Sequence, residues 1–347
     1  MTLIYFILVL GITVFIHELG HFIFAKKAGI YVYEFSIGMG PKIFSKKREN
    51  DETVYSLRLF PIGGFVQMAG EEVDIDENIP VEKRMQSKTW MQRLTTILAG
   101  VTFNFILAIV ILFGIGLFYG SPVMTPVIES KDENYPIYKT NIQSGDEILS
   151  INGKKTDTQD MLLLHLQVLQ GEKVTLEVKH EDGKKEKVTL KPKEEKIDGE
   201  KVYKYGFSLK SESEKGFIAA IKYAFKKTYT LLKQMVFIVT YLFTGKLKLN
   251  SLSGPIGIYT IVGESAKAGF VNLVYLIAYL CINVGFINLL PFPAFDGGRA
   301  LFLLIEKIKG SPVSVKVENT IHNVGFVLLM ILMVFITYND IIRIFFK

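Results

Sequence analysis

One cysteine, Cys281, stands in 347 residues, so no intrachain disulfide can staple any part of this chain, even a part lying outside the cytosol. Histidine is sparse too, with five in all. The N-terminal apolar run has no basic segment before it and no small-x-small cleavage signal, and it is too long for the h-region of a leader. A cleaved signal peptide is therefore not expected. Charge is not lacking: Asp, Glu, Lys and Arg make up 21%, yet hydrophobic residues reach 49%, with 26 phenylalanines, and the mean hydropathy is +0.30. A chain rich in both must segregate them, which excludes a wholly soluble globule and points to membrane spans separated by polar segments. The formal net charge of +6 comes in clusters. Membrane topology accounts for these, and no nucleic-acid partner is expected.

Four stretches, 3–25, 94–119, 270–292 and 322–345, are long and apolar enough to cross a bilayer core of ~30 Å at 1.5 Å per helical residue. Between the first two, the pieces 31–37, 53–59 and 64–68 alternate or carry aromatics and are bounded by Gly-Met-Gly-Pro, Arg-Glu-Asn-Asp and Pro-Ile-Gly-Gly. They predict a small β-hairpin or sheet lying against the membrane. The acidic stretch 71–77 reads as loop. Residues 121–210 form a polar insert of short alternating runs separated by Asn152-Gly153 and Asp182-Gly183, with a helix over 160–169. Within it, Ile142-Gln-Ser-Gly-Asp-Glu-Ile-Leu-Ser-Ile-Asn-Gly153 resembles the signature of PDZ domains, which bind extended peptides by adding a strand to a sheet edge. Residues 216–249 are amphipathic, with only 235–243 free of charge, and read as an interfacial helix; a true span is the alternative. The breaker cluster Ser253-Gly-Pro-Ile-Gly257 reads as a loop or re-entrant turn, and 297–321 as a polar link.

The expected fold is thus a polytopic α-helical membrane protein of about four transmembrane helices, with a membrane-associated β-hairpin or sheet and one inserted α+β PDZ-like domain. It divides into an N-terminal membrane core (1–119), the PDZ-like domain (120–210), an amphipathic helix with the Ser-Gly-Pro loop (211–269) and a C-terminal membrane core (270–347). The loop 26–94 carries eleven Lys and Arg residues, which places it in the cytoplasm of a multi-pass inner-membrane protein and the PDZ-like domain outside.

The chemistry is concentrated in His17-Glu-Leu-Gly-His21. On a helix the two imidazoles share one face, one turn apart, and can hold one Zn²⁺ while Glu18 activates a water. Ionisable groups inside so apolar a span are costly and usually functional. The predicted topology sends this end of the first span and the end of the third to the same leaflet. There Pro291-Phe-Pro293 breaks the third span, and irregular backbone at membrane depth is tolerated only inside protein or along a water cavity. Asp296 follows that break and can meet His17 and His21. It reads either as a third ligand or as a turn residue of Asp-Gly-Gly-Arg. Asn288 reads either as a catalytic donor or as a helix-packing residue, and Asn104 as the latter. His165, His180 and His322 lack ligand spacing and read as ordinary.

Taken together, His17–His21, Pro61-Ile-Gly-Gly-Phe-Val-Gln-Met-Ala-Gly-Glu71, the PDZ-like segment, Ser253–Gly257 and Asn288-Leu-Leu-Pro-Phe-Pro-Ala-Phe-Asp-Gly-Gly298 resemble, in order and over essentially the whole chain, the site-2 protease family of intramembrane zinc metalloproteases. The bacterial regulator-of-sigma-E branch is the nearest match. The family usually has Leu where this chain has Phe295 and often Gly-Pro where it has Gly100-Val101, and some relatives carry two PDZ domains. The resemblance implies that His17, His21 and Asp296 bind zinc, that Glu18 is the general acid and base, and that Asn288 helps place the scissile peptide. It further implies that the strand around Gly63, Gly64, Phe65 and Val66 pairs with an extended substrate. The implied partners are transmembrane proteins or peptides such as anti-sigma factors or remnant signal peptides, the lipid bilayer, and a peptide ligand for the PDZ-like domain. The alternatives are a membrane PDZ receptor without catalysis and a metal transporter. Neither needs a carboxylate beside the first ligand, so Glu18 separates them.

Overall fold

The computed structural model describes residues 1–71, 78–169, 171–197, 200–247 and 249–345; the acidic stretch read as loop lies outside them except for Glu71. In chain order come α1 (Thr2–Lys27), the long strands β1 (Val32–Lys47) and β2 (Val54–Met68), and α2 (Trp90–Tyr119). A strand-rich segment containing α3 (Gln159–Leu169) follows. The chain ends with α4 (Phe217–Phe243), α5 (Pro255–Lys267), α6 (Phe270–Leu289), α7 (Asp296–Lys309) and α8 (Val315–Phe345). Four helices, α1, α2, α6 and α8, are long and apolar enough to cross a membrane, and the protein is a polytopic membrane protein with some sheet. The chain forms two compact units, Met1–Leu112 with Lys248–Lys347, and Phe113–Leu247.

In the first unit, α1 continues two residues past its predicted end and stops by backbone geometry. Gly29 takes φ +69°, its N–H bonds to the Lys26 carbonyl and that of Ile30 bonds to Ala25, the pattern of a glycine-terminated helix. Ile30 then buries against Ala25, Val32, Phe35, Ile97 and Leu303, so the helix end and the sheet share one core. A Cβ on Gly20 would lie 2.5 Å from the Ala99 carbonyl oxygen. Glycine there lets the backbones of α1 and α2 touch, the usual device for close crossings in membranes.

The β region is more than a hairpin. Residues 34–37 pair on one side with 64–67 and on the other with 54–57, and 54–58 pair in turn with 42–47. Two long strands thus fold into four paired segments, with 64–68 left at an edge. The bends need glycine: Gly38 takes φ +88°, and a Cβ on it would lie 2.7 Å from the Phe60 carbonyl oxygen. Exposed Met39, Ile43, Phe44, Leu59 and Phe60 make the far end of this sheet apolar.

Two expectations change at the C-terminal side. The Ser-Gly-Pro stretch is a loop only as far as Gly254, and from Pro255 the chain is helical. The cause lies on α8: the fully buried Asp340 accepts the N–H groups of Gly254 (2.9 Å) and Gly257 (2.8 Å), capping α5 with a carboxylate at its positive end. The stretch read as a polar link is largely α7, whose inner face packs Ala300 and Leu303 into the core. The Trp90 indole donates to the Leu303 carbonyl (2.8 Å) and Arg93 pairs with Glu306 (2.8 Å), tying α7 to the start of α2.

In the second unit, 147–151 lies between 154–155 and 174–179 in a four-stranded antiparallel sheet that 185–190 completes. Asn152 and Gly153 take φ +49° and +76°, so the predicted Asn-Gly turn is a two-residue hairpin. The core is aliphatic, with Ile128, Ile137, Ile142, Ile148, Leu162 and Leu176 fully buried. Helix α4 belongs to this unit. Its lysines, among the charge clusters assigned to membrane topology, are partly spoken for: Lys227 pairs with Asp160 (2.9 Å) and Lys233 with Asp157. Phe237 meets the ring of buried His165 at 4.6 Å.

Candidate active site

The site lies wholly in the first unit and is assembled from four elements. α1 supplies His17, Glu18 and His21. α2 crosses beneath the imidazoles. The edge segment 64–68 of the sheet forms one wall. The break between α6 and α7 supplies Asp296. All nine residues singled out from the sequence, His17, Glu18, His21, Gly63, Gly64, Phe65, Val66, Asn288 and Asp296, line one cavity of about 750 Å³. His17 and His21 are 6% and 7% exposed.

The two histidine Nε2 atoms are 3.2 Å apart, and Asp296 Oδ2 lies 3.1 Å from His17 Nε2 and 3.3 Å from His21 Nε2. Three lone-pair-bearing atoms converge here, a repulsive arrangement unless a proton or cation sits among them. Tetrahedral zinc, with ligand distances near 2.0–2.1 Å, requires ligand–ligand edges of about 3.3 Å. The three observed edges match it, so these side chains fit zinc.

The imidazoles are held from behind. The Thr96 carbonyl accepts the Nδ1–H of His21 (2.9 Å), which leaves the Nε2 lone pair facing Asp296. His17 Nδ1 lies 3.5 Å from the Asn104 side-chain amide, whose oxygen is buried without a partner among the described residues. With the amide turned over, that oxygen faces the Nδ1–H of His17 and can accept it. Gly100 makes room for the pair: a Cβ there would lie 2.4 Å from His21 Nε2 and 2.8 Å from His17 Cε1. The sequence reading gives Thr96 and Gly100 no role and takes Asn104 as a helix-packing residue. The cue was available, since 96, 100 and 104 repeat at the spacing of one helix face.

Asp296 opens α7, with Gly297 and Gly298 behind it. A Cβ on Gly297 would lie 2.3 Å from the carbonyl oxygens of both Leu289 and Leu290, and one on Gly298 would lie 2.4 Å from that of Phe292. The pair of glycines lets the first turn of α7 sit directly on the broken end of α6. As the first residue of α7, Asp296 has its carboxylate at the positive end of the helix dipole. Arg299 pairs with Glu71 at the cavity wall. Gly64 brings the edge strand close to α1: a Cβ on it would lie 3.4 Å from Glu18 Cγ. Glu18 therefore stands between the ligand triangle and a strand edge.

Comparison with known proteins gives the family. The model of peptidase family M50 matches residues 5–332. The zinc metalloprotease RasP of Geobacillus kaustophilus is 34% identical, over 99% of this chain and 98% of its own length. The regulator of sigma-W protease RasP of Bacillus subtilis is 34% identical over 99% of both chains. A Clostridium perfringens relative is 37% identical over 99% of both. The clostridial alignment runs over 343 positions and the B. subtilis one over 422, so the Bacillus protein carries segments that this chain of 347 residues lacks.

Proposed function

The chain belongs to peptidase family M50, the site-2 proteases, and is a zinc metalloprotease; from that premise we propose that it hydrolyses peptide bonds within membrane-spanning segments, with His17, His21 and Asp296 as the zinc ligands and Glu18 as general base and acid. The observation that carries this reading is the one cavity, among apolar helices and the sheet edge, that holds the ligand triangle, Glu18 and a strand edge together.

Zinc, when bound, lowers the pKa of water toward ~7 and polarises a carbonyl. The chain's own residues do the rest. Glu18 takes a proton from the attacking water as its oxygen bonds to the scissile carbonyl carbon, and returns that proton to the amine nitrogen as the C–N bond breaks. Asn288, on the same cavity wall, donates to the carbonyl oxygen as charge develops on it. A substrate helix must unwind before its peptide bond is accessible. The edge segment 64–67, paired on one side only among the described residues, can hold an extended strand beside Glu18.

The basic loop 26–94, which contains the sheet, and, separately, α7 lie on the cytoplasmic side, and the active site opens toward that leaflet. The apolar end of the sheet contacts lipid. The insert 120–210 is a PDZ-like domain outside the membrane that binds a peptide or limits substrate size. The name of the B. subtilis relative makes anti-sigma factors the first substrates to try, with remnant signal peptides next. Glu18→Gln tests the chemistry in detergent with a model transmembrane substrate. Zinc content should be unchanged and cleavage abolished; full cleavage would overturn the role of Glu18 as general base and acid.

A further inference from the structure

Helix α8 is largely unsupported by the rest of the protein, with 11% of its apolar window buried. Its contacts are therefore informative where they occur. One set lies on Asn319, His322 and Gly325, spaced three apart on one face, and it meets the break that carries Asp296. His322 Nδ1 accepts the backbone N–H of Ala294 at 3.0 Å. Gly325 takes Pro293 against its backbone: a Cβ there would lie 2.4 Å from Pro293 Cβ and 2.7 Å from its carbonyl oxygen. Asn319 donates to the Glu71 carbonyl at 3.1 Å.

Ala294 is the point of leverage. It takes φ +83°, a region that residues with a Cβ seldom occupy and that persists only where surroundings impose it. Pro291 and Pro293 have φ fixed by their rings, so the left-handed turn at Ala294 decides the direction in which the chain enters α7. Asp296 follows two residues later, and its carboxylate must come within about 0.2 Å of its proper distance to serve as a ligand. His322 Nε2 is buried and meets no partner among the described residues. The ring's one polar engagement there is the bond to Ala294.

We propose that His322 is a positioning residue for the metal centre: its Nδ1 holds Ala294 in the left-handed turn that presents Asp296 to His17 and His21. The inference rests on Asp296 being a zinc ligand. It also gives a role to a histidine that lacks ligand spacing yet stands in a helix long and apolar enough to span a membrane.

The test is zinc affinity of the intact, detergent-solubilised protein, measured by competition with a chelator, with thermal melting of the zinc-free protein as the check on folding. His322→Phe keeps a ring and removes the acceptor. It should weaken zinc binding about 10- to 100-fold, as loss of groups that orient metal ligands does. His322→Asn places an oxygen near the position of Nδ1 and should restore most of the affinity. Ala294→Gly accepts the turn without strain, so adding it to His322→Phe should also recover binding. Wild-type affinity in His322→Phe would overturn the inference, as would an equal loss with and without Ala294→Gly. If His322→Phe alone does not fold, the double variant decides: folded and zinc-binding supports the proposal, anything less overturns it. Asp296→Ala serves as the reference. Unchanged affinity there would defeat the ligand assignment itself, which a failure of His322 alone would not.

Discussion

Replacing Gly100 with alanine adds one methyl group to the floor of the metal site. Its Cβ would lie 2.4 Å from His21 Nε2, 2.8 Å from His17 Cε1 and 2.9 Å from His17 Nδ1, whereas ordinary contacts begin near 3.4 Å. The rings must retreat by about 1 Å, five times the ~0.2 Å that zinc coordination tolerates. They cannot retreat together and keep their orientation, because His21 is held at Thr96 and His17 faces Asn104. In the zinc-free protein a ring can swing away, so little of the strain falls on folding. With zinc bound both rings must return, and the strain falls on binding. Overpacking of this kind costs about 1–3 kcal/mol, which at 1.4 kcal/mol per tenfold change is a loss of about 5- to 150-fold in zinc affinity. The assay is chelator competition on purified protein. Gly114→Ala is the control, since a Cβ at Gly114, on the same helix, meets nothing within 4 Å. Wild-type zinc affinity in Gly100→Ala would refute the reasoning, because it would mean that the imidazoles do not lie against α2 as described.

Asn104→Leu removes the side-chain amide facing His17 and should weaken zinc binding about tenfold or more, with Asn104→Asp, which keeps an acceptor there, less affected; equal effects of the two would speak against the orienting role. Asp340→Ala deletes the carboxylate that holds the N–H groups of Gly254 and Gly257 and pairs with Arg343 at 2.7 Å. The protein should lose about 3–5 kcal/mol of stability, seen as a lower melting temperature, and an unchanged melt would refute the cap. His165 is 4% exposed, and its burial, with Lys154 and Lys233 nearby, pushes the imidazole down to about 4. The folded protein thus keeps His165 neutral while the unfolded chain protonates near pH 6.5. Stability is full above that pH and falls between pH 6.5 and 4, approaching a loss of about 3 kcal/mol. Hydrogen exchange in α3 should follow that profile, and His165→Phe should flatten it.

What could be read from the sequence was whatever is written in contiguous residues. His17-Glu-Leu-Gly-His21 fixes its own geometry because a helix has one repeat, and Asn152-Gly153 fixes its own turn because the dipeptide selects the backbone. Even Asp296, some 275 residues from the histidines, was reachable, since topology carried both to one leaflet and a proline break marked the place. The supports were not reachable in that way. Thr96, Gly100 and Asn104 act through a carbonyl, a missing Cβ and one amide, and a helix that crosses a membrane offers many of each. Asp340 caps a helix that begins 85 residues earlier, and without that cap Ser253-Gly-Pro-Ile-Gly257 reads as a loop, because its glycines and proline break helices when nothing receives their N–H groups. His322 reads as ordinary for want of ligand spacing, a test suited to atoms that touch a metal and blind to those that hold the chain carrying the ligand. The division has a physical cause. A ligand must be of the right chemical type, and type is legible in a sequence. A support need only stand in the right place, and in this chain place is set by helices that meet only after folding.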